Sequence, residues 1–325
     1  MLCPICHNPA RRFGKNRNGS QRWHCVTCNR TFTIGDERDR RRVPADRALL
    51  GLRLLLEGNS VRSTERITRT HRDTILRMVV DHGTRCAAFL SRKVRGVAVK
   101  SVECDEVWSF IGCKEKTRVR LNYPESVGDC YTWTALERFT KLLLAYHVGK
   151  RTPESARAFS GKLAVATAGR FQVTTDGFRP YRTALPNALP DRIDYAMLIK
   201  TYGTEPGEER RYSPPVIIDV DVDLICGDPD PILISTSFVE RHNKTLRMQI
   251  RRFTRLTDGH SKKWENHESA IALFLAYYNF CRVHSTLTEA TWTEEIGTTK
   301  TTPAMAAGLT DHPWTVEEML LRASE

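Results

Sequence analysis

Hydrophobic positions recur along this chain at two spacings, and the change from one to the other divides it. From about Asp46 to Glu57, Leu49, Leu52, Leu55 and Leu56 fall on one side of a helix that stops at Gly58-Asn59. Ser60 is the expected cap of a second helix carrying Val61, Thr64 and Ile67, and after a break near Thr70-His71 a third carries Ile75, Met78 and Val79. Three short helices with tight turns predict a helix-turn-helix over 44–90, whose last helix would present Arg72, Asp73, Thr74 and Arg77 to the major groove. Any three-helix packing unit would show the same periodicity. From Val102 to Ile111 the rhythm changes. Val102, Cys104, Trp108 and Phe110 fall on one face and Val107 and Ile111 on the other, which predicts a strand buried on both sides.

Further strands are predicted at Tyr131–Leu136, Leu142–Val148, Phe171–Thr175 and Tyr195–Ile199. A helix lies between the second and third of these, with Ala156, Phe159, Leu163 and Ala164 on its apolar side. Residues 203–234, rich in Pro, Gly and acid, read as a solvated hairpin or loop despite the alternating Val220-Asp221-Val222-Asp223-Leu224. Two helices follow. The first, from Ser237, carries Val239, Leu246, Ile250 and Phe253 on one stripe and Glu240, Lys244, Arg247 and Arg251 on the next. The second, Asn266–Cys281, shows Ile271, Phe274, Leu275 and Tyr278. The tail, 291–325, carries no legible chemistry.

Charge adds a division of its own. Residues 1–100 hold 22 Lys and Arg against 8 Asp and Glu, a net of +14, whereas the whole chain is +12. A basic front joined to a near-neutral body suggests a nucleic-acid-binding module attached to something else. No apolar run approaches a membrane span and the start does not read as a signal peptide, so a soluble, cytoplasmic protein is expected. Cys3-x-x-Cys6 and Cys25-x-x-Cys28 have the spacing of a four-thiolate site, and one structural Zn²⁺ in a ribbon over 1–35 is expected. The other six cysteines lack ligand spacing.

Three acids stand out. Asp105 lies inside the doubly buried strand, where an ionised carboxylate is expensive unless paired or metal-bound. Asp176 ends another strand, and Glu240 opens a helix, where it could equally form a capping box with Ser237. The words around them, CDEVWSF, TTDGF and SFVERHNKTLR, resemble the IS1 family of insertion-sequence transposases. The resemblance implies a ribonuclease-H-like α/β core, a mixed five-stranded sheet with helices, over 100–290. It implies that Asp105, Asp176 and Glu240 are catalytic and hold two Mg²⁺ or Mn²⁺ ions. Glu103, Glu106 and Asp129 remain rival carboxylates. Implied partners are double-stranded DNA, as terminal inverted repeats and target, and a second copy of the chain on DNA. Lys244, Arg247 and Arg251 would track phosphates, and the setting would be the bacterial nucleoid. Well-known members fuse two reading frames by frameshifting, whereas this is one continuous chain. Two alternatives stay open: a DNA-binding regulator with a dead core, and a nuclease without strand transfer.

Overall fold

The computed structural model describes residues 1–16, 20–33, 43–203, 216–254, 257–287 and 300–325. Residues 36–42, a charged run before Pro44 that reads as a linker, and the middle of the expected loop, 204–215, lie outside these. Two compact units, Met1–Ala48 and Leu49–Glu325, are described separately.

In the first unit, β1 (Ala10–Lys15), β2 (Gln21–Cys25) and β3 (Arg30–Thr33) form an antiparallel sheet in that order. Each cysteine pair is followed by a residue with positive φ, His7 at 58° and Asn29 at 54°. Both knuckles thus fold back through the left-handed region, which Asn and His enter more readily than most residues. Cys3 and Cys25 end fully buried.

The second unit takes in most of α1 (Ala45–Leu56), then α2 (Val61–Thr68), α3 (Arg72–Lys93), β4 (Val97–Ala98), β5 (Ser101–Ile111), α4 (Glu115–Arg120), β6 (Gly128–Glu137) and β7 (Leu143–Gly149). It continues through α5 (Pro153–Ala166), β8 (Thr167–Ala168), β9 (Phe171–Asp176), α6 (Tyr181–Ala188), β10 (Ile193–Gly203), β11 (Val216–Cys226), α7 (Ser237–Gln249), α8 (Trp264–Phe280), α9 (Pro303–Ala306) and α10 (Val316–Arg322). Ser60 caps α2 as expected, its hydroxyl accepting from the Ser63 N–H at 3.0 Å.

Among the described residues the main sheet has six strands, not five, in the order β11-β10-β9-β5-β6-β7. β5, β6 and β7 form an antiparallel meander, β9 and β10 run parallel to β5, and β11 pairs antiparallel with β10. The sixth strand is the stretch read as part of a solvated loop. On an outer strand the aspartates need not be buried, and Asp223 reaches Arg182. Val220 and Leu224 remain 48% and 62% exposed. Trp133 of β6 packs with Phe159 of α5 and with Phe178 and Tyr181 on one face of the sheet. Its neighbour Thr134 bonds Asn243 of α7 on the other face.

The third helix runs far past its expected stripe, because its second half buries Gly83, Cys86, Phe89 and Leu90. It lies against α8 so closely that a Cβ on Gly83 would come 2.2 Å from the Ser269 carbonyl oxygen. The helices expected as a module over 44–90 therefore share a compact unit with the sheet from Leu49 onward. The tail also belongs to this core: Trp314 stacks on Phe280 at 4.5 Å and meets Phe89 at 5.7 Å. No helix among the described residues is long and apolar enough to cross a membrane.

Gly83 supplies a test of sign. In an ordinary helix interior Gly→Ala stabilises by about 1 kcal/mol. Here Gly83→Ala should destabilise by about 1–3 kcal/mol, since the clash is with backbone. Urea unfolding would measure it, and a stabilised variant would refute the close helix contact.

Candidate metal centres and the acid cluster

The four knuckle sulfurs converge. Cys3 and Cys28 Sγ lie 3.6 Å apart, Cys6 and Cys25 Sγ 3.4 Å, and all four lie within 4.8 Å of one another. A disulfide needs about 2.05 Å, whereas four thiolates at about 2.3 Å from one zinc sit about 3.8 Å apart. The cluster therefore fits a metal tetrahedron. The backbone N–H of Cys28 lowers Cys25 to about 6, and that of Cys6 lowers Cys3, while burial pushes Cys28 up to about 12. A zinc ion would displace the protons that such crowding retains.

The second group forms where two parallel strands lie side by side. Cys104 on β5 pairs with Thr175 on β9, so Asp105 and Asp176 follow on adjacent strands at the end of β9. Asp105 shares a register position with Thr134 and Glu106 with Trp133, on opposite faces of the sheet. Around the open strand end, carboxylate oxygens of Asp105, Glu106 and Asp176 still come within 4.8 Å of one another. Asp105 accepts from its neighbour's N–H at 2.8 Å and from Asn243 Nδ2 at 2.7 Å. Asn243 is itself held by the Thr134 hydroxyl at 3.2 Å. Asp176 accepts from the Phe178 N–H at 3.2 Å.

Burial and then the Asp176 charge push Asp105 up to about 7 and Glu106 up to about 8. Burial likewise raises Asp176. Two cations answer the acids. Arg151 bridges Glu106 at 3.1 Å and Asp176 at 3.3 Å while lying over the Phe178 ring at 4.3 Å. Lys200 of β10 pairs with Glu240.

Glu240 stands outside the tight group, though its charge helps raise Asp105 and Asp176. It is no capping box. Its carboxylate accepts from the Thr236 hydroxyl at 2.7 Å and from Lys200. The first turn of α7 is capped by Glu103, whose Oε2 accepts from the N–H groups of Phe238 at 2.8 Å and Val239 at 3.0 Å. Asp129 accepts from the Glu115 N–H in the α4 turn.

The basic stripe is shorter than its spacing suggested. α7 ends at Gln249 and the chain tightens into a 3₁₀ turn over Arg251–Phe253, so Arg251 leaves the face shared by Glu240, Lys244 and Arg247. Lys244 is exposed and Arg247 half-buried. On α3, Arg72 and Arg77 are exposed, and Arg77 donates to the Thr74 hydroxyl at 3.2 Å. Sequence reading missed Arg151, Lys200 and Asn243. Only Asn243 left a signal, as the polar position three residues after Glu240.

No family model matches the chain, and no curated protein does. Among solved structures, a piggyBac transposase in a synaptic complex with hairpin DNA aligns at 10% identity, over 89% of this chain and 72% of that one, with a TM-score of 0.37.

Two outcomes follow from the metal geometry. The purified chain should carry about one zinc, lost on Cys25→Ser; equal zinc in both proteins would refute the site. For the acids the sign is fixed by linkage. Their folded pKa values lie above the ordinary 3.8 and 4.5, so the folded chain binds more protons between about pH 4 and 8, and their contribution to stability falls as pH rises through that window. Asp105→Asn should therefore raise the melting temperature of ion-free protein near pH 8 and change it little near pH 4. Added Mn²⁺ should stabilise the wild type more near pH 8 than near pH 6, and should not stabilise Asp105→Asn. Equal Mn²⁺ shifts in both proteins would remove Asp105 from the ligand set.

Proposed function

We propose that the chain is a DNA transposase of the DDE type, with Asp105, Asp176 and Glu240 as its metal-holding acids and Glu106 beside them. The observation that carries this is the pair of half-buried aspartates on adjacent parallel strands, Asp105 raised in pKa by burial and the Asp176 charge and Asp176 by burial. Such a group is costly as it stands and is relieved by a hard cation. The strand order supports the finer fold reading: a three-strand meander followed by two parallel strands suits a ribonuclease-H-like core. The IS1 reading rests on the three motifs alone.

Divalent ions held there would supply charge stabilisation and an activated oxygen for in-line attack on phosphorus. The chain's own groups do the rest. Asn243 orients the Asp105 carboxylate, and Glu103 sets the start of the helix that carries Glu240. Glu240 can join the other two acids once Lys200 turns to a DNA phosphate instead. The reaction breaks a P–O3′ bond as water adds to phosphorus. The freed 3′-hydroxyl then attacks a target phosphodiester, forming a new P–O bond as the target's own P–O3′ bond breaks and its 3′-oxygen leaves as a hydroxyl. The basic ribbon shaped around the clustered cysteines and the basic helical region would hold the DNA ends.

Arg151 favours a second reading. A guanidinium bridging two of the acids also suits an ion-pair network in a catalytically silent DNA-binding regulator. Substitution separates the two. Asp105→Asn, Asp176→Asn and Glu240→Gln should each lower Mg²⁺-dependent cleavage and joining of element ends by more than about 100-fold, and Asn243→Ala by about 10–100-fold. DNA binding should persist, since the three acid substitutions remove negative charge and Asn243→Ala leaves the charge unchanged. With Glu103 as the cap, near-normal joining by Glu240→Gln would retire Glu240 as a ligand. An inactive wild type that still binds DNA would favour the regulator.

A further inference from the structure

A second polar feature lies away from the acid cluster. A cleft of about 1260 Å³ separates the helices α1 to α3 from the turn that follows α7, and none of the clustered acids lines it. Among the described residues, eight Lys and Arg line it against four acids. Arg72 and Arg77 stand on the helical wall, and Arg251, Arg252, Lys262 and Lys263 on the other.

Arg252 is the unusual member. Burial pulls its guanidinium down to about 10, yet its hydrogen bond goes to a hydroxyl, Ser261 Oγ at 3.1 Å, rather than to a carboxylate. Ser261 in turn meets His267 Nδ1 at 2.9 Å, His267 Nε2 meets Ser109 Oγ at 3.1 Å, and Ser109 donates to the Cys130 carbonyl at 3.1 Å. A guanidinium can only donate and a carbonyl can only accept, so every donor in this relay points the same way. His267 must then carry its proton on Nε2 and stay neutral, and burial does hold it down to about 3. The relay fixes Arg252 against β5, four residues past Asp105. A cation secured in this way, with no carboxylate paired to it among the described residues, is built to receive an anion.

We propose that this cleft seats the phosphate backbone of duplex DNA, with Arg252 as the anchored contact. One DNA segment is then gripped by α3 and by the turn behind the Glu240 helix together. The cleft is larger than ordinary small-molecule sites of about 300–1,000 Å³, and its cations are spread over two walls rather than focused on one point. The identity of the ligand rests on the DNA reading above; the site itself does not need the acids to be catalytic.

The test is a salt titration of full-length protein on a fluorescein-labelled duplex of random sequence. Arg252→Gln should flatten the slope of log affinity against log salt by about 0.9, the value of one phosphate contact. Because Arg252 is part of a buried relay, Lys262→Ala, at an exposed position on the same wall, serves as the second variant and should do the same. Unchanged slopes in both folded variants, or no salt-dependent binding by the wild type, overturn the proposal. Loss of slope in a protein that never cleaves DNA would sink the transposase reading and leave the cleft standing. Cleavage with unchanged slopes would do the reverse.

Discussion

Two backbone N–H groups at the start of α7, those of Phe238 and Val239, end on one oxygen of the Glu103 carboxylate. The geometry of the acid site depends on that bond. Glu103 is fully buried in β5, two residues before Asp105, so the strand that carries the first acid also dictates where the helix carrying the third begins. A carboxylate at a helix start also meets the positive end of the helix dipole, worth about 0.3–1 kcal/mol and up to about 2 when partly buried. Burial raises the pKa of Glu103 while the two N–H groups, Arg138 and Lys141 act to lower it. Six residues into the same helix Asn243 turns back to Asp105, so strand and helix are stitched at two points.

β5 divides its polar residues among different tasks. Glu103 caps a helix, Asp105 and Glu106 point to opposite faces and meet Asp176 at an open strand end, and Ser109 receives the relay from Arg252. A strand covered on both sides tolerates this only because each group has partners or an opposing charge. Arg151 and Lys200 provide that charge around the acids. Both are long, flexible side chains, so they can neutralise the cluster without closing it to a competing cation.

Much of this was legible in the sequence because periodicity and spacing are direct expressions of burial. The doubly apolar run around Asp105, the Ser60 cap and the cysteine spacing all correspond to features present in the structure. What failed to show was of a different kind. The strand Val216–Cys226 hid behind its aspartates, since composition suggested solvent while alternation suggested a strand, and alternation was the better guide. Arg251 looked collinear with Glu240 because helical counting does not register a turn tightening at Arg251. Arg151 and Lys200 are contributed by segments remote in sequence, and no local pattern distinguishes them from the other cations. Likewise Ser237-x-x-Glu240 has the spelling of a capping box, but a distant glutamate took the cap.

The stacking of Trp314 on Phe280, with Phe89 alongside, has a meaning for biosynthesis. Phe89 belongs to the long helix bearing Arg72 and Arg77, and Phe280 closes the helix behind the sheet. Until the ribosome has released Trp314, and Met319 has dropped into its fully buried place, both helices present bare aromatic surface. A nascent chain that stops short of this point holds all of the acids and cysteines discussed above, yet cannot finish the packing that supports them. Packing of both helices therefore waits on the segment that carries Trp314 and Met319, and a chain interrupted before it is a sticky intermediate rather than a smaller folded unit.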